Sequence, residues 1–312
     1  MAKPFDVTYV TPSCTFCEKP AVFYEPVEKC YFCKNHFIDS IENKVYTTIT
    51  ESKQIRSGDH VAVALSGGKD STALLIILSR LLPKLSGSHL TAITIDEGIA
   101  GYRTETMQAA ERLTKQLGVK HHIVTFRSIV GRDLDELLRG REKQACTICG
   151  ILRKKAIADA AKTVDASVIA TGHNLDDEAQ SVLMNALRGD LPRLIRNTGT
   201  SQSSLFLPRV KPLSALTEKE IAVYLFVQGI FSPLPECPYA EYALRAEVRT
   251  MLAKLEAQHP GTMRHLIECK KKIERYCSRA KVMESLQYCR ECGDPCSGNI
   301  CQVCRIKQYL GI

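Results

Sequence analysis

The chain has 312 residues, of which 45% are hydrophobic and 24% charged, a composition ordinary for a globular protein with one large domain and appendages or with two domains. No apolar run is long enough to cross a membrane, and the first residues lack the apolar stretch of a secretory signal, so we expect a cytoplasmic protein. The net charge of +8 suits a polyanionic partner such as a nucleic acid, although a solvated basic surface explains it equally well.

Short apolar runs alternate with helical segments from residue 58 onward. The predicted strands and helices, in chain order, are 60–65, 72–82, 90–95, 104–117, 122–126, 150–164, 167–170 and 176–187. This alternation predicts an α/β fold, a parallel sheet with helices on both faces. A connecting helix is predicted at 41–56, and residues 215–280 read as helical.

The cysteines divide the rest of the chain. There are fourteen, and they form five C-x-x-C pairs, four of which lie near the two ends. In a reducing compartment such pairs are more often metal ligands than disulfides. We therefore predict an N-terminal metal module at 1–40, a linker helix at 41–57, an α/β domain at 58–240, a helical part at 241–287 and a C-terminal metal module at 288–312.

Polar motifs follow three of the predicted strands. They are the glycine loop after Leu65, Asp96 after the second strand, and Gly172-His173-Asn174 after the fourth. Ligands of parallel α/β folds bind at the carboxyl ends of the strands. We expect these motifs to meet at one edge of the sheet.

The loop Ser66-Gly67-Gly68-Lys69-Asp70-Ser71 lies between a predicted strand and a predicted helix. Its glycines allow a tight backbone approach to phosphate, the helix offers free N–H groups, and Lys69 adds a charge. It is not the Walker loop, and a plain glycine turn is the structural alternative.

This loop resembles the signature of the PP-loop ATPases, which release pyrophosphate and leave an adenylated substrate. The resemblance implies that 58–240 is a PP-loop catalytic domain with its pyrophosphate site in the loop and its adenosine site near Ile95 and Asp96. The nucleotide-binding residues implied are Ala64, Ser66, Gly67, Gly68, Lys69, Asp70, Ser71, Ile95, Asp96 and Gly172.

Cys146-Thr147-Ile148-Cys149 precedes a predicted helix, and Cys237 stands alone between prolines. From spacing alone, the pair fits a redox motif or half of a zinc site, and Cys237 fits a buried apolar residue. The spacing does not choose between these.

Residues 172–180 (GHNLDDEAQ), together with Cys146-x-x-Cys149-Gly150 and Pro235-x-Cys237-Pro238, resemble the tRNA 2-thiolation enzymes of the TtuA/NcsA/cytosolic thiouridylase family, with TtcA as a more distant relative. The resemblance covers nearly the whole chain. It implies that the three cysteines hold a [4Fe–4S] cluster whose open iron carries sulfide. The competing interpretation is a persulfide on one cysteine that another resolves through a disulfide.

The same resemblance implies the remaining reactive groups. Asp177 matches the family's catalytic aspartate and would hold Mg²⁺ or the activated base, although capping of a helix is the alternative. Arg153 occupies the place of the family's catalytic lysine, and Lys154 is next to it, so either cation is a candidate. A solvated helix face is the alternative for both.

The terminal pairs predict two closed zinc sites. Cys289, Cys292, Cys301 and Cys304 form the C-terminal set. At the N-terminus the family pattern implies Cys14, Cys17, Cys33 and His36, with Cys30 as the alternative ligand. Other basic residues are candidates for phosphate contacts: Arg188, Arg193, Arg196, Lys270, Lys271, Lys272 and Arg275.

The predicted function is ATP-dependent adenylation of a uridine C2 oxygen in tRNA, at position 34 or 54, followed by sulfur transfer that gives 2-thiouridine. The alternatives are persulfide-based thiolation, 2-thiocytidine formation, lysidine-like chemistry, which the cysteine set argues against, and a zinc-dependent RNA-binding protein with a nucleotide switch. The family implies a homodimer, and the sulfur donor is a thiocarboxylated ubiquitin-like protein or free sulfide.

Overall fold

The computed structural model describes residues 11–195, 206–230, 237–239, 244–277 and 287–312. The chain begins with a hairpin of β1 (Phe23–Glu25) and β2 (Cys30–Phe32), followed by α1 (Lys34–Glu51). The predicted bounds of the connecting helix, 41–56, are wrong at both ends. The apolar repeat of α1 starts at Phe37 and continues at four-residue spacing, so the helix starts earlier and crosses the predicted boundary at residue 40.

A parallel sheet of five strands forms the centre of the molecule. Its strands lie in the order β5 (Lys120–Thr125), β4 (His89–Asp96), β3 (His60–Ala64), β6 (Val168–Ala170) and β7 (Arg209–Val210). The chain adds β4 and β5 on one side of β3 and then crosses to add β6 and β7 on the other. This reversal at β3 places a ligand crevice beyond its carboxyl end.

The alternation of side chains in β3 separates two hydrophobic cores. Val61 and Val63 face a core formed with α1, α2 (Lys69–Leu81) and α9 (Glu218–Phe226). Ala62 faces the opposite core, which contains the buried side of α6 (Ala145–Thr163). Both faces of the sheet are therefore covered by helices, and the predicted fold class is confirmed.

The other elements complete these layers. They are α3 (Arg103–Leu117), α4 (Phe126–Val130), α5 (Leu134–Leu137), α7 (Leu175–Leu187), α8 (Leu191–Ile195), α10 (Leu244–Gln258), α11 (Thr262–Cys277), β8 (Gln287–Tyr288), β9 (Pro295–Cys296) and α12 (Gln302–Leu310). Helices α10 and α11 pack on α7, and α12 packs on α6. Among the described residues, no helix is long and apolar enough to cross a membrane.

Two differences from the predicted elements affect the site. Helix α6 begins at Ala145 and not at residue 150, so Cys146 and Cys149 lie in its first turns and not ahead of it. The fifth strand, β7, was absent from the prediction because two paired residues leave no periodic pattern in a sequence.

Candidate functional site

The phosphate loop (residues 66–71) connects β3 to α2 and is held by its two serines. Ser71 Oγ accepts from the backbone nitrogen of Ser66 at 3.1 Å and donates to the carbonyl of Gly68 at 3.0 Å. Gly67 has φ of +86°, and a Cβ there would lie 2.1 Å from the carbonyl oxygen of Thr106. Any other residue would push α3 away from the loop, so the turn requires glycine.

The Gly-His-Asn segment after β6 lies directly against the phosphate loop. A Cβ on Gly172 would come within 3.0 Å of the backbone nitrogen of Ser71. The Asn174 side chain donates from Nδ2 to Asp70 Oδ1 at 3.1 Å. The two polar motifs that the sequence predicted at one edge of the sheet therefore meet there.

Lys69 points across the loop into a group of acidic side chains. Its Nζ lies 3.0 Å from Asp70 Oδ2 and 2.9 Å from Glu218 Oε1. Burial works against the charge of Lys69, but the two carboxylates outweigh it and raise its pKa. Glu218 also contacts Arg249 of α10. A bound phosphate would compete with Glu218 for the ammonium group.

Asp96 ends β4 at the mouth of a cavity of about 480 Å³ between the loop after β4 and α3. Its Oδ1 accepts from the backbone nitrogen of Gly98 at 2.9 Å. Ile95 is buried, and Ala64 is half-buried at the carboxyl end of β3. Of the residues predicted to meet adenosine, Asp96 lines this cavity, and Ile95 precedes it in β4 without lining it.

Asp177 is part of the cap of α7. Asn174 Oδ1 accepts from the Asp177 backbone nitrogen at 2.9 Å, and Asp177 Oδ2 accepts from the Asn174 nitrogen at 3.3 Å. This reciprocal pair is a capping box. The capping alternative is therefore realised, but it uses only one carboxylate oxygen, because Oδ1 faces Arg245 of α10 at 3.3 Å.

The central thiols (Cys146, Cys149 and Cys237) come from two distant segments of the chain. Cys149 is buried, Cys237 is half-buried in the same hydrophobic core, and Cys146 is exposed and donates to the carbonyl of Tyr239 at 3.6 Å. Burial raises the pKa of Cys149 to about 11, and the other two thiols add to that shift. Cys146 and Cys237 are close enough to Cys149 to raise its pKa further, so the three thiols lie in one region of the molecule.

The two cations after Cys149 point in different directions. Arg153 Nη2 donates to Cys149 Sγ at 3.2 Å, and its Nε lies 2.6 Å from Glu97 Oε1. Lys154 is exposed instead, and its pKa is lowered by partial burial and by the charges of Arg209, Arg193 and Lys211. Arg153 therefore belongs to the cysteine site, and Lys154 to a neighbouring cationic surface.

The N-terminal cysteines form a compact cluster. One donor atom from each of Cys14, Cys17, Cys33 and His36 lies within 4.8 Å of the others. Cys17 and Cys33 sulfurs are 3.7 Å apart, close to the roughly 3.8 Å that a tetrahedral zinc with bonds of about 2.3 Å produces. Cys30 stands outside this group and donates to the carbonyl of Glu28 at 3.4 Å.

The C-terminal set repeats this geometry. Donor atoms of Cys289, Cys292, Cys301 and Cys304 also lie within 4.8 Å of one another. Cys296 donates instead to the carbonyl of Gly298 at 2.7 Å. The module is fixed to α6 by an ion pair of 2.6 Å between Lys155 Nζ and Asp294 Oδ2.

The basic residues predicted to contact phosphates are spread over several elements. Arg193 pairs with Asp190 at 3.3 Å within α8, and Lys270 pairs with Glu274 at 3.5 Å within α11. Arg188 caps the end of α7. Lys271, Lys272 and Arg275 also lie on α11, and Arg196 is outside the described residues.

Four charged residues of the site were not singled out from the sequence: Glu97, Arg103, Glu218 and Arg245. Glu97 and Arg103 are almost completely buried and pair at 2.8 Å. A carboxylate immediately after the strand-ending Asp96 was the one available signal for Glu97. Glu218 and Arg245 lie far along the chain, and only the packing of α9 and α10 brings them to the loop.

Comparison with known proteins finds this combination of elements elsewhere. The PP-loop domain family matches residues 39–254. The tRNA 2-thiolation protein NcsA of Haloferax volcanii is 32% identical and aligns with 95% of this chain and 98% of its own. The cytoplasmic tRNA 2-thiolation protein 1 of Chlamydomonas reinhardtii is 35% identical and aligns with 93% of this chain and 82% of its own.

A solved structure is similar over the same length. The U34-tRNA thiolase NcsA from Methanococcus maripaludis, solved with its [4Fe–4S] cluster, superposes with a TM-score of 0.81 at 31% identity. The alignment covers 97% of this chain and 98% of that one. The similarity therefore includes both terminal cysteine modules as well as the sheet.

Proposed function

The chain belongs to the tRNA 2-thiolation family built on a PP-loop domain, and on that premise we propose that it is a tRNA sulfurtransferase that adenylates the C2 oxygen of a uridine and replaces it with sulfur. We place the uridine at wobble position 34, because the structurally similar M. maripaludis protein is a U34-tRNA thiolase. Position 54 is the alternative target.

One observation supports this function above the others: a phosphate-binding loop and a group of three thiols are joined by direct contacts. Arg103 donates to the carbonyl of Ser66 in the phosphate loop at 3.1 Å and pairs with Glu97. Glu97 pairs in turn with Arg153, which donates to Cys149. Adenylation and sulfur transfer need these two sites side by side, since the activated base must meet sulfur before water does.

In the first half-reaction the uridine O2 attacks the α-phosphorus of ATP, pyrophosphate leaves, and the N3 proton is released. The phosphate loop binds the departing pyrophosphate through its N–H groups and the Lys69 ammonium. Asp177 would hold Mg²⁺ against the phosphates, and its Oδ1 becomes available when Arg245 turns away. Magnesium would neutralise charge on the transferred phosphoryl group.

In the second half-reaction a C2–S bond forms, the C2–O2 bond breaks, and AMP leaves with the oxygen. The chemistry of the central donors fits an iron–sulfur cluster: Cys146, Cys149 and Cys237 are three thiols supplied by α6 and the 237–239 segment, with Arg153 beside Cys149. Three thiolates would ligate three irons of a four-iron cluster and leave the fourth open. A [4Fe–4S] cluster on these thiols would supply sulfide from its open iron.

Recognition of tRNA is proposed for the cationic surface beside α6. Lys154, Arg193, Arg209 and Lys211 lie close enough to influence one another electrostatically. Arg209 is half-buried and anchored to the Lys154 carbonyl at 2.7 Å. Such a group of cations next to the reactive thiols fits a phosphate backbone that has to be positioned at the site.

Other parts of the proposal extend the same assignment. The two terminal sets would hold structural zinc, with donor spacing that fits a tetrahedral ion. We propose the catalytic domain at 58–240, flanked by modules at 1–40 and 288–312 with 41–57 and 241–287 between them. We also propose a cytoplasmic homodimer, with a thiocarboxylated ubiquitin-like protein or free sulfide as donor.

The first experiment is purification without oxygen, followed by iron and labile-sulfide analysis, an EPR spectrum, and mass spectrometry of tRNA after reaction. We expect about four irons per chain. Iron and 2-thiouridine should be lost together in Cys146→Ala, Cys149→Ala and Cys237→Ala. Cys269→Ala is the matched control, because Cys269 is an exposed thiol on α11.

The alternatives give different results. Thiolation without iron would overturn the cluster and favour persulfide chemistry on the same thiols. Detection of 2-thiocytidine as the product would show that the modified base is cytidine and not uridine. ATP binding without AMP or pyrophosphate release would favour an RNA-binding protein with a nucleotide switch.

A further inference from the structure

Three charged side chains form a continuous line between the phosphate loop and Cys149. Glu97, which is 2% exposed, is its centre. Glu97 Oε2 lies 2.8 Å from Arg103 Nε, and Glu97 Oε1 lies 2.6 Å from Arg153 Nε. We call these three residues the charge relay. Each carboxylate oxygen of Glu97 contacts a different arginine, so Glu97 is the group that connects Arg103 to Arg153.

The Arg103 end of the relay touches the nucleotide-binding edge of the sheet. Its Nη1 donates to the carbonyl of Ser66 and to Thr106 Oγ1, both at 3.1 Å, and its Nη2 donates to the carbonyl of Ile95. Arg103 therefore joins the ends of β3 and β4. A change in the backbone of the phosphate loop has to move this guanidinium or break its hydrogen bond.

The Arg153 end touches the sulfur site. Nη2 donates to Cys149 Sγ at 3.2 Å while Nε faces Glu97. The two contacts use different nitrogens of one planar guanidinium, so the ion pair with Glu97 restricts where Nη2 can lie relative to the sulfur. A lysine has one ammonium group and could not hold both contacts at these positions.

The charges of the relay do not cancel by themselves. Two guanidinium groups and one carboxylate leave one excess positive charge. Glu97 and Arg103 are almost fully buried, whereas the Arg153 side chain is 43% exposed, so the excess charge lies at the Arg153 end, beside Cys149 Sγ. A negatively charged group bound at Cys149 would therefore strengthen this end of the relay.

Three polar atoms of the relay, Glu97 Oε2, Arg103 Nε and Arg153 Nε, are buried without a well-aligned hydrogen bond. The ion pairs among them are short but poorly directed. Their attraction is therefore mainly electrostatic, and the directional contacts of the relay are the hydrogen bonds that each arginine makes at its far end, to the Ser66 carbonyl and to Cys149 Sγ.

We propose that Arg153 is a positioning residue for Cys149 and that the charge relay couples nucleotide binding at the phosphate loop to the state of the Cys149 sulfur. The inference rests on the proposed function for the identity of the group that Cys149 binds, but not for the link itself. By thermodynamic linkage, a group bound at Cys149 changes the affinity for ATP by the same factor as ATP changes the affinity for that group.

The first arm of the test uses metal-free protein and ATP, without tRNA. Glu97→Gln removes the charge at the centre of the relay while keeping its volume. We expect the Kd for ATP, measured by calorimetry, to rise about fivefold or more, within the usual range of coupling between sites. Thermal unfolding is recorded in parallel, and Arg153→Met is the second variant if Glu97→Gln does not fold.

The second arm compares metal-free and iron-loaded protein. In the wild type the Kd for ATP should differ about fivefold or more between the two forms. In Arg153→Met this difference should vanish, and the reduction potential of the bound cluster should fall, because a hydrogen bond and a positive charge near the sulfur favour the reduced cluster. Arg153→Lys should retain part of the potential shift and lose the coupling.

Arg80→Met is the matched control. Arg80 has almost the same exposure as Arg153, 45% against 43%, and pairs with a carboxylate, Glu42, at 2.7 Å. It lies near the end of α2 that is remote from the phosphate loop. We expect no change in the ATP difference or in the potential.

The two proposals fail in distinguishable ways. If the wild type takes up no iron under anaerobic conditions, the proposed cluster is wrong. The proposed coupling through the relay is then tested by the metal-free experiment alone. An unchanged Kd in Glu97→Gln would then overturn it. If iron is bound normally and Arg153→Met keeps both the wild-type difference in Kd and the wild-type potential, the relay is wrong and the thiolation assignment stands.

Discussion

The terminal cysteine sets and the central thiols use the same residue type in opposite ways. Each terminal set gathers four donors within 4.8 Å, and in the C-terminal set backbone N–H groups of Cys301 and Cys292 lower the pKa of Cys289 to about 6 while burial raises that of Cys292 to about 11. The central site has three thiols, one of them exposed, and burial raises the pKa of Cys149 to about 11. The terminal sites are complete without a substrate, whereas the central site leaves room for one more ligand.

The two kinds of site differ because the paired ligands of a terminal knuckle are close in the sequence, whereas the central thiols come from distant segments. Each terminal knuckle is a C-x-x-C or C-x-x-H turn. Backbone N–H groups donate to its sulfurs: Cys304 N donates to Cys301 Sγ at 3.4 Å, and Cys301 N donates to Cys289 Sγ at 3.3 Å. The central thiols depend on the packing of a helix start against the 237–239 segment and on the charge of Arg153. A site assembled in this way responds to its neighbours.

Exposure to air is the strongest way to separate the two kinds of site. Oxygen should remove the iron proposed for the central site and reduce tRNA thiolation to background, because an iron–sulfur site with an exposed ligand is accessible. Zinc, the ion proposed for the terminal sites, has no redox chemistry and should remain bound. Metal analysis and thermal unfolding before and after exposure measure both effects. Loss of zinc together with iron would show that the sites are not independent.

Replacing one terminal ligand tests whether those sites are structural. Cys33→Ser should release zinc and lower the free energy of unfolding by about 4 kcal/mol, because loss of a metal belongs to the most destabilising class of substitution. Cys33 is 2% exposed and caps α1, whose apolar side enters the main core. The measurement is denaturant unfolding with zinc analysis.

Cys30→Ser is the control for that substitution. Cys30 lies three residues earlier, and its sulfur contacts the carbonyl of Glu28 and none of the four clustered donors. It should keep zinc and wild-type stability. Equal destabilisation by both variants would show that Cys30 takes part in the site.

The phosphate loop can be disabled without touching either kind of cysteine site. Lys69→Met should slow AMP formation by about 10²- to 10³-fold, the usual cost of removing one stabilising contact from a transition state. Zinc and iron contents should stay unchanged, since Lys69 contacts Asp70 and Glu218 and no cysteine. The assay is release of labelled AMP and pyrophosphate. Lys115→Met, an exposed lysine on α3, is the control.

The part of this architecture that local sequence determines could be predicted. The alternation in β3, the glycine loop and the three-residue spacing of knuckle ligands are all short-range patterns, and the predicted parallel sheet is confirmed. The predicted start of the connecting helix at 41 was wrong because the apolar repeat of α1 begins earlier, at Phe37, and the helix itself begins at Lys34, directly after the last cysteine of the N-terminal pairs.

The contacts that tie the sites together could not be predicted in the same way. The pairing of Glu97 with Arg103 and Arg153 joins a strand end to two different helices. Nothing in the order of the residues states which of 42 basic side chains will meet a given carboxylate. The resemblance named Arg153 as a candidate but left it level with Lys154, and only the packing of α6 turns one toward Cys149 and the other outward.

The smallest effect is expected on the cationic surface. The prediction concerns Lys154, which points outward where Arg153 points toward Cys149. Lys154→Met removes one charge next to Arg209, Arg193 and Lys211, so the Kd for tRNA should rise and the slope of log K against log salt should fall by about 1, as for loss of one phosphate contact. Iron content and AMP formation at saturating tRNA should not change. Lys84→Met, an exposed lysine at the opposite edge of the sheet, should leave the slope as it is. If Lys154→Met instead stops thiolation at saturating tRNA with binding intact, Lys154 acts in the reaction, and the division between an inward Arg153 and an outward Lys154 is wrong.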